Sequence, residues 1–126
     1  MRTGSRGSVL TWILLAGLAL LLAPSVAGAQ VACGNTAPPC TGGVCPELFD
    51  GGGTSAGTPT CQQPKGEKCA CILMKADAAC TIVAGRCKGK CEPLYRSAAD
   101  ARAGRNPVKG TCLQVAAGCQ CVWKFR

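Results

Sequence analysis

Residues 32–49 read ACGNTAPPCTGGVCPELF, and residues 79–95 read ACTIVAGRCKGKCEPLY. Laid over each other, the stretches share Ala-Cys at the start, a second Cys after six residues, a Gly inside the next short loop (Gly42 and Gly89), and a third Cys. Leu48-Phe49 then matches Leu94-Tyr95. The match continues outward. Thr60-Cys61 corresponds to Thr111-Cys112, and Cys69-Ala70-Cys71-Ile72 to Cys119-Gln120-Cys121-Val122. The first set, Cys33, Cys40, Cys45, Cys61, Cys69 and Cys71, has gaps of 6, 4, 15, 7 and 1 residues. The second, Cys80, Cys87, Cys91, Cys112, Cys119 and Cys121, has gaps of 6, 3, 20, 6 and 1. Agreement of spacing and flanks reads as two tandem copies of one six-cysteine module, residues 30–78 and 79–126.

Composition says how such a module can hold together. Residues 30–126 contain all 12 Cys but only 17 large apolar side chains, too few for a core that offsets chain entropy unaided. Cysteine at this density marks a disulfide scaffold. The expected fold is a small disulfide-rich protein with short β-hairpins and little helix. Three bridges are expected inside each module, with fifteen pairings open for each. The two thiols of each Cys-x-Cys should bond different partners, because their Cα atoms lie near 7 Å apart in an extended chain, at the limit for bridging.

Period-two alternation puts Cys119, Cys121, Trp123 and Phe125 on one face of a strand, with Thr111–Val115 as its hairpin partner through Ala116-Ala117-Gly118. Cys69–Met74 is the equivalent strand, with Leu73 in the place of Trp123. Phe49 and Tyr95 are expected to pack on their own modules' bridges. In the long fourth gap, module 1 carries Asp50–Gly57, read as a flexible loop. Module 2 carries a short helix near 93–103, opened by Pro93 and stopped by Gly104.

The first 29 residues read as a secretory signal. Arg2 and Arg6 precede the fifteen-residue apolar run Val9–Ala23, and Ala27-Gly28-Ala29 supplies small residues for cleavage before Gln30. The run is shorter than the roughly twenty residues a membrane-spanning helix needs, so no stable span is expected after cleavage. Gln30, three positions before Cys33, departs from the lipoprotein pattern, and lipidation would leave an odd number of thiols. The expected location is therefore outside the cytoplasm, extracellular or periplasmic, where bridges form and last.

Charge divides the modules. Residues 30–78 have three Lys against four acids, whereas residues 79–126 have nine cations against two acids. Those nine, Arg86, Lys88, Lys90, Arg96, Arg102, Arg105, Lys109, Lys124 and Arg126, are the candidate contacts for an anionic partner such as a cell-surface polymer or a lipid headgroup. Another protein is the alternative partner. Nucleic acid is disfavoured, since no aromatic platform is interleaved with the charges.

Enzymatic chemistry is not expected. There is no His, and the six acids sit in no recognisable catalytic context. No cofactor or metal is expected either. Thiolate metal binding is the remote alternative, weakened by the lack of any Cys-x2-Cys pair. The leading expectation is a non-catalytic secreted binding protein. Its rival is a secreted effector, either an antimicrobial or toxin-like protein using residues 93–105 or a protease inhibitor using Lys88-Gly89-Lys90 between Cys87 and Cys91.

Cys40-Thr41-Gly42-Gly43-Val44-Cys45-Pro46 with the later Cys69-Ala70-Cys71 resembles small bacterial secreted cysteine-rich proteins built on C-x-G-G-x-C-P…C-x-C units. The likeness covers 32–71 well and 79–121 less well. It implies secretion and disulfides, and no activity.

Overall fold

The computed structural model describes residues 30–126; the signal reading, residues 1–29, lies outside them. In chain order the strands are β1 (Val31–Ala32), β2 (Gly43–Val44), β3 (Leu48–Phe49), β4 (Ser55–Gly57), β5 (Thr60–Gln62), β6 (Ala70–Lys75), β7 (Thr81–Val83), β8 (Arg86–Lys88), β9 (Gly110–Val115) and β10 (Gly118–Phe125). The single α-helix among the described residues is α1 (Ala98–Ala103), and a 3₁₀ turn spans Cys33–Asn35.

All twelve cysteines are bridged, in the same order within each group. The pairs are Cys33–Cys61, Cys40–Cys69 and Cys45–Cys71, then Cys80–Cys112, Cys87–Cys119 and Cys91–Cys121. First thus joins fourth, second joins fifth, and third joins sixth. The two sulfurs of each Cys-x-Cys do take different partners, as strand geometry requires.

Sulfur fills the centre. Eight buried cysteines pack with Leu48, Leu94, Val108, Trp123 and Phe125 as one continuous core. Along β10 the alternation is visible: Cys121, Trp123 and Phe125 are buried while Lys124 is exposed.

The two cysteine groups meet in a single four-stranded sheet of order β5-β6-β10-β9. Leu73 of β6 faces Trp123 of β10, the residue aligned with it by sequence. Phe49 and Tyr95, also aligned, exchange two backbone hydrogen bonds of 2.8 Å. Leu48 pairs with Gly57 in the first half, and Leu94 with Val108 in the second. Matching positions that contact each other in this reciprocal way have the geometry of an isologous, two-fold contact, here within one chain. Phe49 and Tyr95 therefore join the halves through their backbones, rather than serving only their own bridges.

Two readings of the fourth gap change. The helix does not begin at Pro93, because Leu94 and Tyr95 are engaged by Val108 and Phe49 in extended backbone. It starts after Ser97, whose hydroxyl accepts from the Asp100 N–H, and it ends as expected at Gly104 in the left-handed region. Asp50–Gly57 is an ordered turn rather than a flexible loop. The Asp50 carboxylate accepts from the N–H groups of Gly52 and Thr54, and Ser55–Gly57 returns as β4.

Candidate anion-binding cleft

Cys87 and Cys91 fasten the ends of Lys88-Gly89-Lys90 to Cys119 and Cys121, two residues apart on β10. A tether at each end restricts this loop. Its middle is fixed by close approach, since a Cβ at Gly89 would fall 1.7 Å from the Ala79 carbonyl oxygen. Lys88, Gly89 and Lys90 all remain exposed.

Facing the loop is the segment that leads into β9. Pro107, Lys109, Gly110, Thr111 and Cys112, with Pro93, close a cleft of about 690 Å³. Its surface comes from bridged cysteines, prolines and glycines, with the ammonium groups of Lys88, Lys90 and Lys109 as its only charged groups. Gly110 is a glycine for a packing reason: a Cβ there would lie 2.6 Å from Trp123 Nε1 and 2.7 Å from the Cys91 Cβ.

The nine cations of the second half do not form one patch. Lys124 and Arg126 both reach Glu67 of the first half, at 2.9 and 3.1 Å. Arg105 lies 3.7 Å from Asp100, and the Arg96 guanidinium stacks 4.6 Å from the centroid of the Phe125 ring. Arg102 stands beside Gly53, in the Asp50 turn. Arg86, Lys88, Lys90 and Lys109 remain, and none of them takes part in an ion pair among the described residues.

Glu67 carries a testable signature of its contacts. The hydrogen bond from Lys124, with the charges of Lys124 and Arg126, holds its carboxyl below the ordinary value of 4.5. A depressed folded-state pKa means that this contribution to stability is present above the ordinary carboxylate range and fades as pH falls through the lowered value. We expect carboxyl-carbon NMR to find Glu67 titrating below a peptide glutamate. Glu67→Gln should reduce the loss of stability on acidification; an ordinary Glu67 midpoint would refute the pairing.

Two sulfur triads, Cys33/Cys45/Cys71 and Cys80/Cys91/Cys121, gather within 4.8 Å. Every member is already in a disulfide, so soft-metal ligation there would first require reduction. The buried Trp123 donates from Nε1 to the Glu92 carbonyl oxygen at 2.9 Å and offers no face for a partner.

One surface feature went unread in the sequence. In β7 and β8, Ile82 and Val83 are conspicuously exposed beside Arg86 and Lys88. The β-branched run Thr81-Ile82-Val83 followed by Ala84-Gly85 was a strand-and-turn signal. The spacing concealed it, because the matching Gly34–Pro39 segment has the same length but opens with a 3₁₀ turn and ends in a Pro-Pro pair.

Among the described residues no helix is long and apolar enough to cross a membrane. Compared with known proteins, the chain matches no family model, no curated protein and no solved structure.

Proposed function

We propose that this is a non-catalytic binding protein, exported with loss of residues 1–29, whose second module contacts an anionic surface polymer. One observation carries the reading: Lys88, Lys90 and Lys109 converge on a cleft without a carboxylate in its lining. Concentrated positive charge on a braced framework raises the local concentration of a polyanion and holds it without ordering a loop first. Six disulfides suit an oxidising compartment, and the resemblance to small secreted cysteine-rich proteins points the same way.

Retention on immobilised dextran sulfate tests this. Wild-type protein should bind and elute with rising salt, as screening demands. Replacing Lys88, Lys90 and Lys109 together by Ser should weaken binding about tenfold, at a few tenths to about 1 kcal/mol per exposed charge. Unchanged retention would remove the cleft from the proposal.

The double tether of Lys88-Gly89-Lys90 favours one second reading, a protease-inhibitory loop. Inhibition of a protease that cleaves after basic residues, lost in Lys88→Ser or Lys90→Ser, would favour it over polymer binding.

A further inference from the structure

We infer that the β7–β8 hairpin is an interfacial anchor that seats the protein on an anionic lipid bilayer, Ile82 and Val83 entering the headgroup boundary while Arg86, Lys88, Lys90 and Lys109 meet lipid phosphates. This rests on the anionic-partner reading of the lysine cleft and takes a lipid bilayer, rather than a polymer, as the surface.

The apolar tip comes first. Ile82 is 62% exposed and Val83 49%, adjacent aliphatic side chains in a strand with no buried residue. The turn between the strands is tight: Ala84 and Gly85 both have positive φ (52° and 75°), the geometry of a type I′ hairpin. Nothing approaches within 4 Å of the Cβ position at Gly85. The tip is thus preformed and open.

Folding does not explain these two side chains. The matching segment of the first half, Gly34–Pro39, contains no large aliphatic residue and no cation, yet the same three bridges close there. Isolated surface aliphatics need no explanation. An adjacent pair on a hairpin tip, flanked by unpaired cations, does.

Charge then selects the surface. Val83 pairs across the hairpin with Arg86, and Thr81 with Lys88. From Ala78 to Cys91 there is no acid. The neighbouring acids are directed elsewhere or sit at the base. Asp77 accepts from the Ala79 N–H, and Asp77 and exposed Glu92 both line a separate cavity with Asp50 and Lys75, away from the lysine cleft. Arg86 and Lys88 lie on the Val83 face of the hairpin, and Ile82, opposite Cys87, is on the other. An aliphatic tip flanked by cations matches a bilayer bearing anionic lipid, where apolar burial and headgroup attraction act together. A soluble polyanion would use the cations and ignore the tip.

The experiment uses the fully oxidised protein, its six bridges checked by mass. Three probes are compared: vesicles of mixed phosphatidylcholine and phosphatidylglycerol, vesicles of phosphatidylcholine alone, and dextran sulfate. Wild type should sediment with the mixed vesicles and not with the neutral ones. Ile82→Ser/Val83→Ser should lose about tenfold or more in vesicle partition, given the aliphatic surface returned to water, and keep its dextran sulfate affinity. Replacing Lys88, Lys90 and Lys109 by Ser should weaken both. Equal vesicle binding by wild type and Ile82→Ser/Val83→Ser would overturn the anchor. Binding to dextran sulfate without mixed vesicles would also overturn it while leaving the anionic-polymer reading standing. Binding to neither would remove both.

Discussion

Replacing Cys91 and Cys121 together by Ala is expected to lower the unfolding free energy by about 4 kcal/mol. The bridge joins residues 30 apart in sequence, and closing a loop of that length in the unfolded chain accounts for about that much in the chain-entropy account. The other five bridges have separations between 26 and 32, so the entropic part is nearly constant because it varies with the logarithm of loop length. Burial distinguishes them. Cys121 is fully buried and Cys91 nearly so, whereas Cys87 and Cys119 are half-buried. Losing the first pair removes packed sulfur from the core as well as the cross-link, so it should cost more than Cys87→Ala/Cys119→Ala. Guanidinium unfolding under non-reducing conditions, on protein whose remaining ten thiols are shown by mass to be bridged, measures both. Since small domains are stable by only about 5–15 kcal/mol, the loss should be large. A shift under about 1 kcal/mol would mean that apolar packing, not sulfur, holds the fold.

Much of the fold was legible because its strongest constraint is written in residue identity. In residues 30–126, twelve cysteines with 17 large apolar residues leave disulfides as the means of closure, and alternation along 119–125 fixes which face of β10 is buried. Connectivity was not legible. Fifteen pairings per module satisfy the same spacing, and choosing among them takes the three-dimensional placement of β6 and β10. The helix start was misplaced because Pro93 is a good first helical residue locally, while the backbone of Leu94 and Tyr95 is taken by Val108 and Phe49, partners distant in sequence. Of the charge, the excess in the second half was readable. Which cations stay unpaired was not, since Glu67, in the other half, takes both Lys124 and Arg126.

The second large effect is expected at the place where the halves meet. Trp123 is nearly fully buried, faces Leu73 across the central strand pair and Gly110 on the other side, and holds the Glu92 carbonyl through its indole N–H. Trp123→Ala should cost about 3–5 kcal/mol, the range for deleting a buried aromatic ring. Trp123→Phe keeps a ring and removes the donor, so it should lose less, with about 1 kcal/mol due to the hydrogen bond. Trp123→Leu places at this position the residue that the first half has at Leu73, and it should fall between the other two. Because β6 and β10 lie in one sheet, the damage should not stay in the second half. Far-ultraviolet circular dichroism should show Trp123→Ala unfolding in one transition, at a lower denaturant concentration than wild type. A loss below about 1 kcal/mol would show that this residue does not hold the junction. Two separable transitions would show that each module stands on its own three bridges, and that the reciprocal pairing of Leu73 with Trp123 and of Phe49 with Tyr95 adds contact without cooperativity.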